Sequence, residues 1–221
     1  MALAGCPKNC PKLTHRMNIR RLLWIFILLA LPVVAEPYAA ELSAPWRTRL
    51  AALVKPKTLS APFTESRSTP LKKRPVVVTG TVRIDRARGL SLSYDQRHAP
   101  VVILDERGLL LRHEDGREQS APPEAESDLR LLHALFSFDL ATLEKSYALT
   151  ATDSPDGKWT LVFTRRDGAT ATYRELVLVG TLDRLTGITL AKTPNLKTEI
   201  VLGEPQLDPV FTAADLARYF R

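Results

Sequence analysis

Three histidines outside the first 35 residues, His98, His113 and His133, are the side chains best suited to proton transfer or metal ligation near neutral pH. His113-Glu114-Asp115 imitates a ligand cluster. A zinc site needs three or four ligands at set spacing with each imidazole held by a second partner, however, and Asp115-Gly116 makes the run a solvated turn. His98 precedes Ala99-Pro100 at a strand entry. His133 follows Leu132 on a helical pattern, where a partly buried core histidine is the commoner outcome. There is no G-x-S-x-G elbow, no H-E-x-x-H pair and no glycine-rich phosphate loop. Glu41 and Glu65 are single acids, not a facing pair, and Ser60, Ser66 and Ser68 have no histidine at a telling distance. The expectation is no catalytic group, no metal and no cofactor, hence a protein that is not an enzyme. An esterase or other hydrolase is the weakest alternative.

Residue types that do little chemistry point to binding, and the elements that would position a binding surface follow from periodicity. Trp46, Leu50 and Val54, with Leu53 beside them, give an amphipathic helix over 41–54 that Lys55-Pro56 ends. A short irregular segment with Leu59, Phe63, Glu65 and Arg67 comes next. From Pro75 the period changes to two: Val76, Val78, Val82 and Ile84 share a face, then Leu90, Leu92 and Tyr94 alternate with serines. Val101 to Leu104 and Leu109 to Leu111 are further short strands. With no room for crossover helices, these strands pair antiparallel. Pro122-Pro123 opens a helix to about Phe138, with Leu129, Leu132, Leu135 and Phe136 on one side. Asp139 caps a second short helix carrying Leu140 and Leu143. Strands resume at 147–151, 158–164, 171–179, 187–191 and 198–202, with Asp156-Gly157 and Asp167-Gly168 as turns. In 171–179 both faces are apolar, which fits either full burial or one face on the core and one on an apolar partner. Thr212 and Asp215 form a capping box, with Phe211 and Leu216 as the matching staple, for a last helix over 213–219. The sum is a meander of about nine or ten strands.

The first 35 residues read as a removable leader. Met17-Asn-Ile-Arg20-Arg21 is a basic start, Leu22 to Val34 an apolar run of 13 residues, and Val33-Val34-Ala35 a small-residue cleavage point. A membrane span needs roughly 20 residues, so an uncleaved anchor is the lesser reading. The expected division is an upstream extension (1–16) that need not belong to the native start, a signal peptide (17–35) cut after Ala35, and one periplasmic domain (36–221). Both cysteines, Cys6 and Cys10, fall before the cut, which fits a domain without disulfides in the bacterial periplasm. Of the 31 basic residues, Lys8, Lys12, Arg16, Arg20 and Arg21 lie in the leader with no acid, leaving 26 basic against 24 acidic. That balance supplies no basic stripe for nucleic acid, and the clusters Lys72-Lys73-Arg74 and Arg83, Arg86, Arg88 read as solvated loops.

The order of these elements resembles the LolA-like outer-membrane lipoprotein carrier family. The resemblance runs through Phe63-Thr-Glu65 and Val78-Thr-Gly80-Thr-Val-Arg-Ile84, then Arg88-Gly-Leu90-Ser-Leu92-Ser-Tyr94 and Ala99-Pro100-Val-Val-Ile-Leu104. It continues through the middle helices 129–138 and 139–143, Trp159-Thr-Leu161-Val-Phe163, Tyr173 to Gly180, and Leu185-Thr-Gly-Ile188. It covers most of residues 41–205. It implies an α+β fold: a curved antiparallel sheet forming an unclosed β-barrel, with helices as a lid over a hydrophobic cavity. Members carry acyl chains of lipoproteins or other lipids across the periplasm.

In the family an arginine of the barrel wall hydrogen-bonds the lid helices and controls opening. The matching position is Arg88, which stands two residues farther from Gly80 than the family pattern has it, with Gly89 in place of the usual proline. An arginine offers five donors to helix-end carbonyls; the alternative for Arg88 is a surface residue beside Arg86. Expected cavity residues are Leu90, Leu92, Tyr94, Trp159, Leu161 and Phe163 from strands and Leu132, Leu135 and Phe136 from the lid, although each aromatic is equally a plain core residue. Expected partners are lipid or lipoprotein acyl chains and, by the resemblance, an inner-membrane exporter and an outer-membrane acceptor, with the carrier a monomer. A module of the envelope that senses lipid or binds a protein without shuttling is the alternative.

Overall fold

Alternation of apolar and polar residues dictates a sheet with one wet and one dry face, and that is what forms. The computed structural model describes residues 43–120, 126–169 and 171–221. The leader with its expected cut after Ala35, Glu41 and the Pro122-Pro123 helix start lie outside the described residues. Helix α1 (Ala44–Leu53) is followed by β1 (Thr58–Ser68), β2 (Val76–Asp85), β3 (Gly89–Tyr94), β4 (Val101–Asp105), β5 (Gly108–Arg112) and β6 (Glu118–Ser120). Helices α2 (Glu126–Ser137) and α3 (Leu140–Glu144) interrupt the strands. Then come β7 (Tyr147–Asp153), β8 (Lys158–Arg165), β9 (Glu175–Thr181), β10 (Arg184–Thr193), β11 (Leu196–Leu202), β12 (Gln206–Leu207) and α4 (Ala213–Tyr219).

Every pairing is antiparallel, in the order β6-β5-β4-β3-β2-β1-β11-β10-β9-β8-β7, with β12 on the end of β1. The edge strands β6 and β7 do not pair with each other, so the sheet curls without closing. The segment expected to be irregular is β1, an eleven-residue strand at the centre of the sheet. Leu59, Ala61, Phe63 and Glu65 alternate inward there, but the inward Glu65 and a proline conceal the pattern. Pro62 is tolerated because its missing N–H falls where the ladder breaks between β11 and β12, while its carbonyl still accepts from the Gly203 N–H (2.8 Å).

The inner face carries the main core: Phe63, Val82, Leu90, Leu161, Phe163 and Leu176 are buried on it. Glycines let large rings lie flat against it. A Cβ on Gly180 would sit 2.1 Å from the Trp159 ring, and one on Gly80 2.8 Å from the Phe63 ring. In β9, Leu176 and Leu178 face the core, while Val177 and Val179 turn outward and Val179 is exposed.

Helix α1 starts with a proline in its first turn and buries Trp46, Leu50 and Leu53, the i, i+4, i+7 stripe that faces the core. Trp46 meets Trp159 edge-on at 6.2 Å between ring centres. Helix α4 forms with the expected Thr212–Asp215 capping box. It covers the outer face of β4 and β5, where Val101, Ile103 and Leu110 pack with Tyr219. Among the described residues, no helix is long and apolar enough to cross a membrane.

Candidate functional site: an apolar cavity beside Arg86

Between α1, the end of α2 and one end of the inner sheet face, the side chains fail to fill the space. A cavity of about 160 Å³ remains. Leu59, Ala61, Val82 and Ile84 form its floor, Leu53 and Phe136 its helical roof, and Leu185, Ile188 and Leu202 its far wall. An engineered cavity of nearly this size takes a benzene ring, whereas sites for larger ligands run from about 300 Å³ upward. At this size the space holds a small ring and no long chain.

The β2–β3 turn supplies Arg86 to the cavity lining. The Asp85 carboxylate accepts from the Ala87 N–H (2.9 Å), the Arg88 N–H closes onto the Asp85 carbonyl (2.9 Å), and Gly89 at φ 111° leads into β3. Only glycine fits there, since a Cβ would lie 2.3 Å from the Leu104 carbonyl oxygen. This turn sends its two arginines to different places. Arg86 reaches inward, donating from Nη1 to the Phe136 carbonyl (3.3 Å) and from Nη2 to the Leu53 carbonyl (3.2 Å). These are last-turn carbonyls of α2 and α1, acceptors that a helix leaves without internal partners. Arg88 instead folds back on the Asp85 carboxylate (2.8 Å) and is 43% exposed. The lid contacts expected of Arg88 thus belong to Arg86, two residues closer to Gly80. Residue spacing along a strand cannot resolve this, because the turn and not the strand sets both directions.

Arg86 is electrostatically unusual. Among the described residues its Nε is buried without a hydrogen-bond partner and no carboxylate forms an ion pair with it. Burial pulls its pKa below the ordinary arginine value.

Phe138 shapes the same wall. The Asp139 N–H bonds the Ala134 carbonyl (2.8 Å) and the Phe138 N–H the Leu135 carbonyl (3.3 Å), the Schellman arrangement that ends α2. Its left-handed position normally holds glycine, yet here Phe138 adopts φ 55° and lines the cavity. A bulky side chain in that region costs about 1–2 kcal/mol. Asp139 then caps α3 as expected, accepting from the Thr142 N–H at 3.1 Å, a bond that lowers the Asp139 pKa.

Of the side chains expected to line a cavity, Phe136 does so. Trp159, Leu161, Phe163, Leu90 and Leu135 are buried within the packed core, and Leu92, Tyr94 and Leu132 pack against it while partly exposed. Tyr94 belongs to a polar cluster elsewhere on the inner face. It donates to the buried Glu65 carboxylate (2.8 Å), which also receives Arg67 Nε (2.5 Å). Burial first, then the Glu65 charge, pushes the Tyr94 pKa up to about 12. The histidines do not converge: His98 pairs with Glu114 at the surface (2.8 Å), and His133 borders a groove beside α2. Among the described residues no three histidine, cysteine or acidic side chains are grouped to hold a metal.

Residues 39–206 match the model of a family described as outer membrane lipoprotein carrier protein LolA-like. No curated protein matches the chain. Similar solved structures include a putative outer membrane lipoprotein-sorting protein domain from Vibrio parahaemolyticus (10% identity, 77% of this chain and 93% of that one, TM-score 0.45). Another is a LolA superfamily protein from Nitrosomonas europaea (9% identity, 75% and 94%, TM-score 0.39). With a family model spanning most of its length, the chain belongs to the LolA-like outer membrane lipoprotein carrier family.

Proposed function

We propose that this protein is a non-enzymatic carrier of the periplasm. It takes acyl chains of lipoproteins or other lipids into the cavity under α1 and α2 and moves them toward the outer membrane. Exporter and acceptor partners, a monomeric carrier and a leader cut after Ala35 belong to the same reading. The observation that carries it is Arg86 spanning the ends of two helices across an apolar space.

The energetics fit a latch. Each hydrogen bond from a charged donor is worth about 1.5–3 kcal/mol, so opening costs about 3–6 kcal/mol for the two. Burying a methylene returns about 0.8 kcal/mol. Roughly four to eight buried methylenes offset the latch. Short chains leave the lid shut and long ones open it.

Displacement of a fluorescent fatty acid by saturated chains of increasing length, with native mass spectrometry of the loaded protein, tests this. Affinity is expected to rise sharply between about six and ten carbons. Arg86→Leu is expected to shift the threshold to shorter chains and speed uptake. A protein that binds no acyl chain of any length refutes the carrier reading. Transfer of bound probe to acceptor vesicles separates a shuttle from a module that only senses lipid.

A further inference from the structure

The apolar cavity does not end at Arg86. A gap of about 50 Å³ shares Ile84, Arg86 and Phe136 with the cavity and is also bordered by Asp85, His133 and Ser137. It adjoins a polar groove of about 490 Å³ that shares Arg86, Gly89, His133 and Ser137 with it. Arg86 thus stands at the junction of a greasy compartment and a wet one. Four arginines line the groove, Arg86, Arg88, Arg107 and Arg221, together with two acids, Asp105 and Glu106. Three of them already have carboxylates, Arg88 on Asp85 and both Arg107 and Arg221 on Asp105. Arg86 has only two neutral carbonyls and an unsatisfied Nε. A half-buried cation without a counter-charge is a costly arrangement, and it leaves the junction short of one anion.

We infer that the cargo is an amphiphile with an anionic headgroup, whose carboxylate or phosphate seats on Arg86 at the inner end of the polar groove while its acyl chain enters the apolar cavity. This rests on the carrier reading and narrows it. The headgroup also works the latch. Bonds from guanidinium to an anion are about twice as strong as bonds between neutral groups and are often bidentate. An incoming anion therefore draws Arg86 off the Leu53 and Phe136 carbonyls, so that the lid is released by the cargo that needs the space. The lowered proton affinity that burial imposes on Arg86 is relieved in the same step. A neutral chain must open the lid with its methylenes alone.

The test compares ligands of one chain length on the full protein: hexadecanoate, hexadecyl phosphate, hexadecanol and inorganic phosphate alone, each displacing the same neutral fluorescent acyl probe. The two anionic amphiphiles are expected to bind at least ten-fold tighter than the alcohol, and inorganic phosphate alone to displace nothing. Arg86→Gln is expected to bring the acid and the alcohol within about three-fold of each other, and Arg86→Lys, which keeps a charge, to retain most of the preference. Equal affinities in the natural protein, or a preference that survives Arg86→Gln, overturn the headgroup assignment while leaving the carrier reading intact. Displacement by inorganic phosphate alone overturns it in favour of a free-anion site. Failure of all three amphiphiles to bind removes the carrier reading, and this inference with it.

Discussion

Arg86 and Arg112 both tie helix ends to the sheet, and they differ in one partner. Arg112 donates from Nη1 to the Ala217 (2.6 Å), Arg218 (3.1 Å) and Phe220 (2.9 Å) carbonyls at the end of α4, while its Nε holds the Glu118 carboxylate (2.7 Å). A second fixture lies beside it, where Arg221 grips the buried Asp105 through two nitrogens. Arg86 makes the same kind of helix-end contact on the inner face with no carboxylate. Charge that is desolvated and then neutralised holds its element in place. Charge that is desolvated and left bare gives back part of its bonding as burial cost, so it holds less firmly than a paired one. One face of the sheet is thus clamped and the other is latched.

The largest effect is expected at the clamp. Arg112→Met removes three carbonyl bonds and the Glu118 pair, and should cost about 2 kcal/mol, read from urea midpoints at unchanged slope, with acyl uptake unaltered. Arg86→Leu should cost less, because it removes the burial cost of the charge along with its two bonds, and yet loosen α1 and the end of α2, read as faster amide exchange there. Equal losses of stability in the two variants would erase the distinction between clamp and latch.

A smaller effect is expected at Phe138, and it sharpens the latched side alone. Phe138→Gly relieves about 1–2 kcal/mol of backbone strain and gives up a half-buried aromatic side chain worth about as much. Stability should move by less than about 1 kcal/mol while acyl affinity falls several-fold. A large loss of stability with affinity intact would make Phe138 ordinary packing rather than cavity wall.

What could be read from residue spacing divides along the same line. The helix at Trp46 and Leu50, the Asp139 cap and the Thr212–Asp215 box are local patterns, and they form as expected. Antiparallel pairing follows from close-set alternating strands, whereas the open edge of the sheet was implied by the family resemblance alone. Strand β1 was hidden because its inward register includes Glu65, whose partners Arg67 and Tyr94 are its own second neighbour and a residue two strands away in the sheet. The cavity was hidden for a different reason. Trp159 and Leu185 are both apolar strand residues, but Trp159 lies on Gly180 and fills its space, whereas Leu185 faces a gap. Inward is a property of register, and empty is a property of whatever packs opposite. Arg86 and Phe138 escape pattern reading because turn geometry directs the first, and the second stands where glycine is the usual signal.

A third arginine extends the comparison. Arg67 has a counter-charge, and its pKa moves up, chiefly through its hydrogen bond to Glu65; Arg86 has none, and its pKa moves down through burial. Tyr94 reports on the paired case. Its hydroxyl is held neutral by burial and by the adjacent Glu65 charge, so the folded chain keeps a proton up to about pH 12 that the unfolded chain releases near 10. A raised folded pKa contributes stability that is complete below pH 10 and is lost as the pH climbs toward 12. Tyrosinate absorbance should therefore show a late-ionising component that Tyr94→Phe lacks. The same substitution should flatten the fall in stability across that window. A titration with no component near pH 12 would mean that the Tyr94 hydroxyl is not buried against Glu65 in solution.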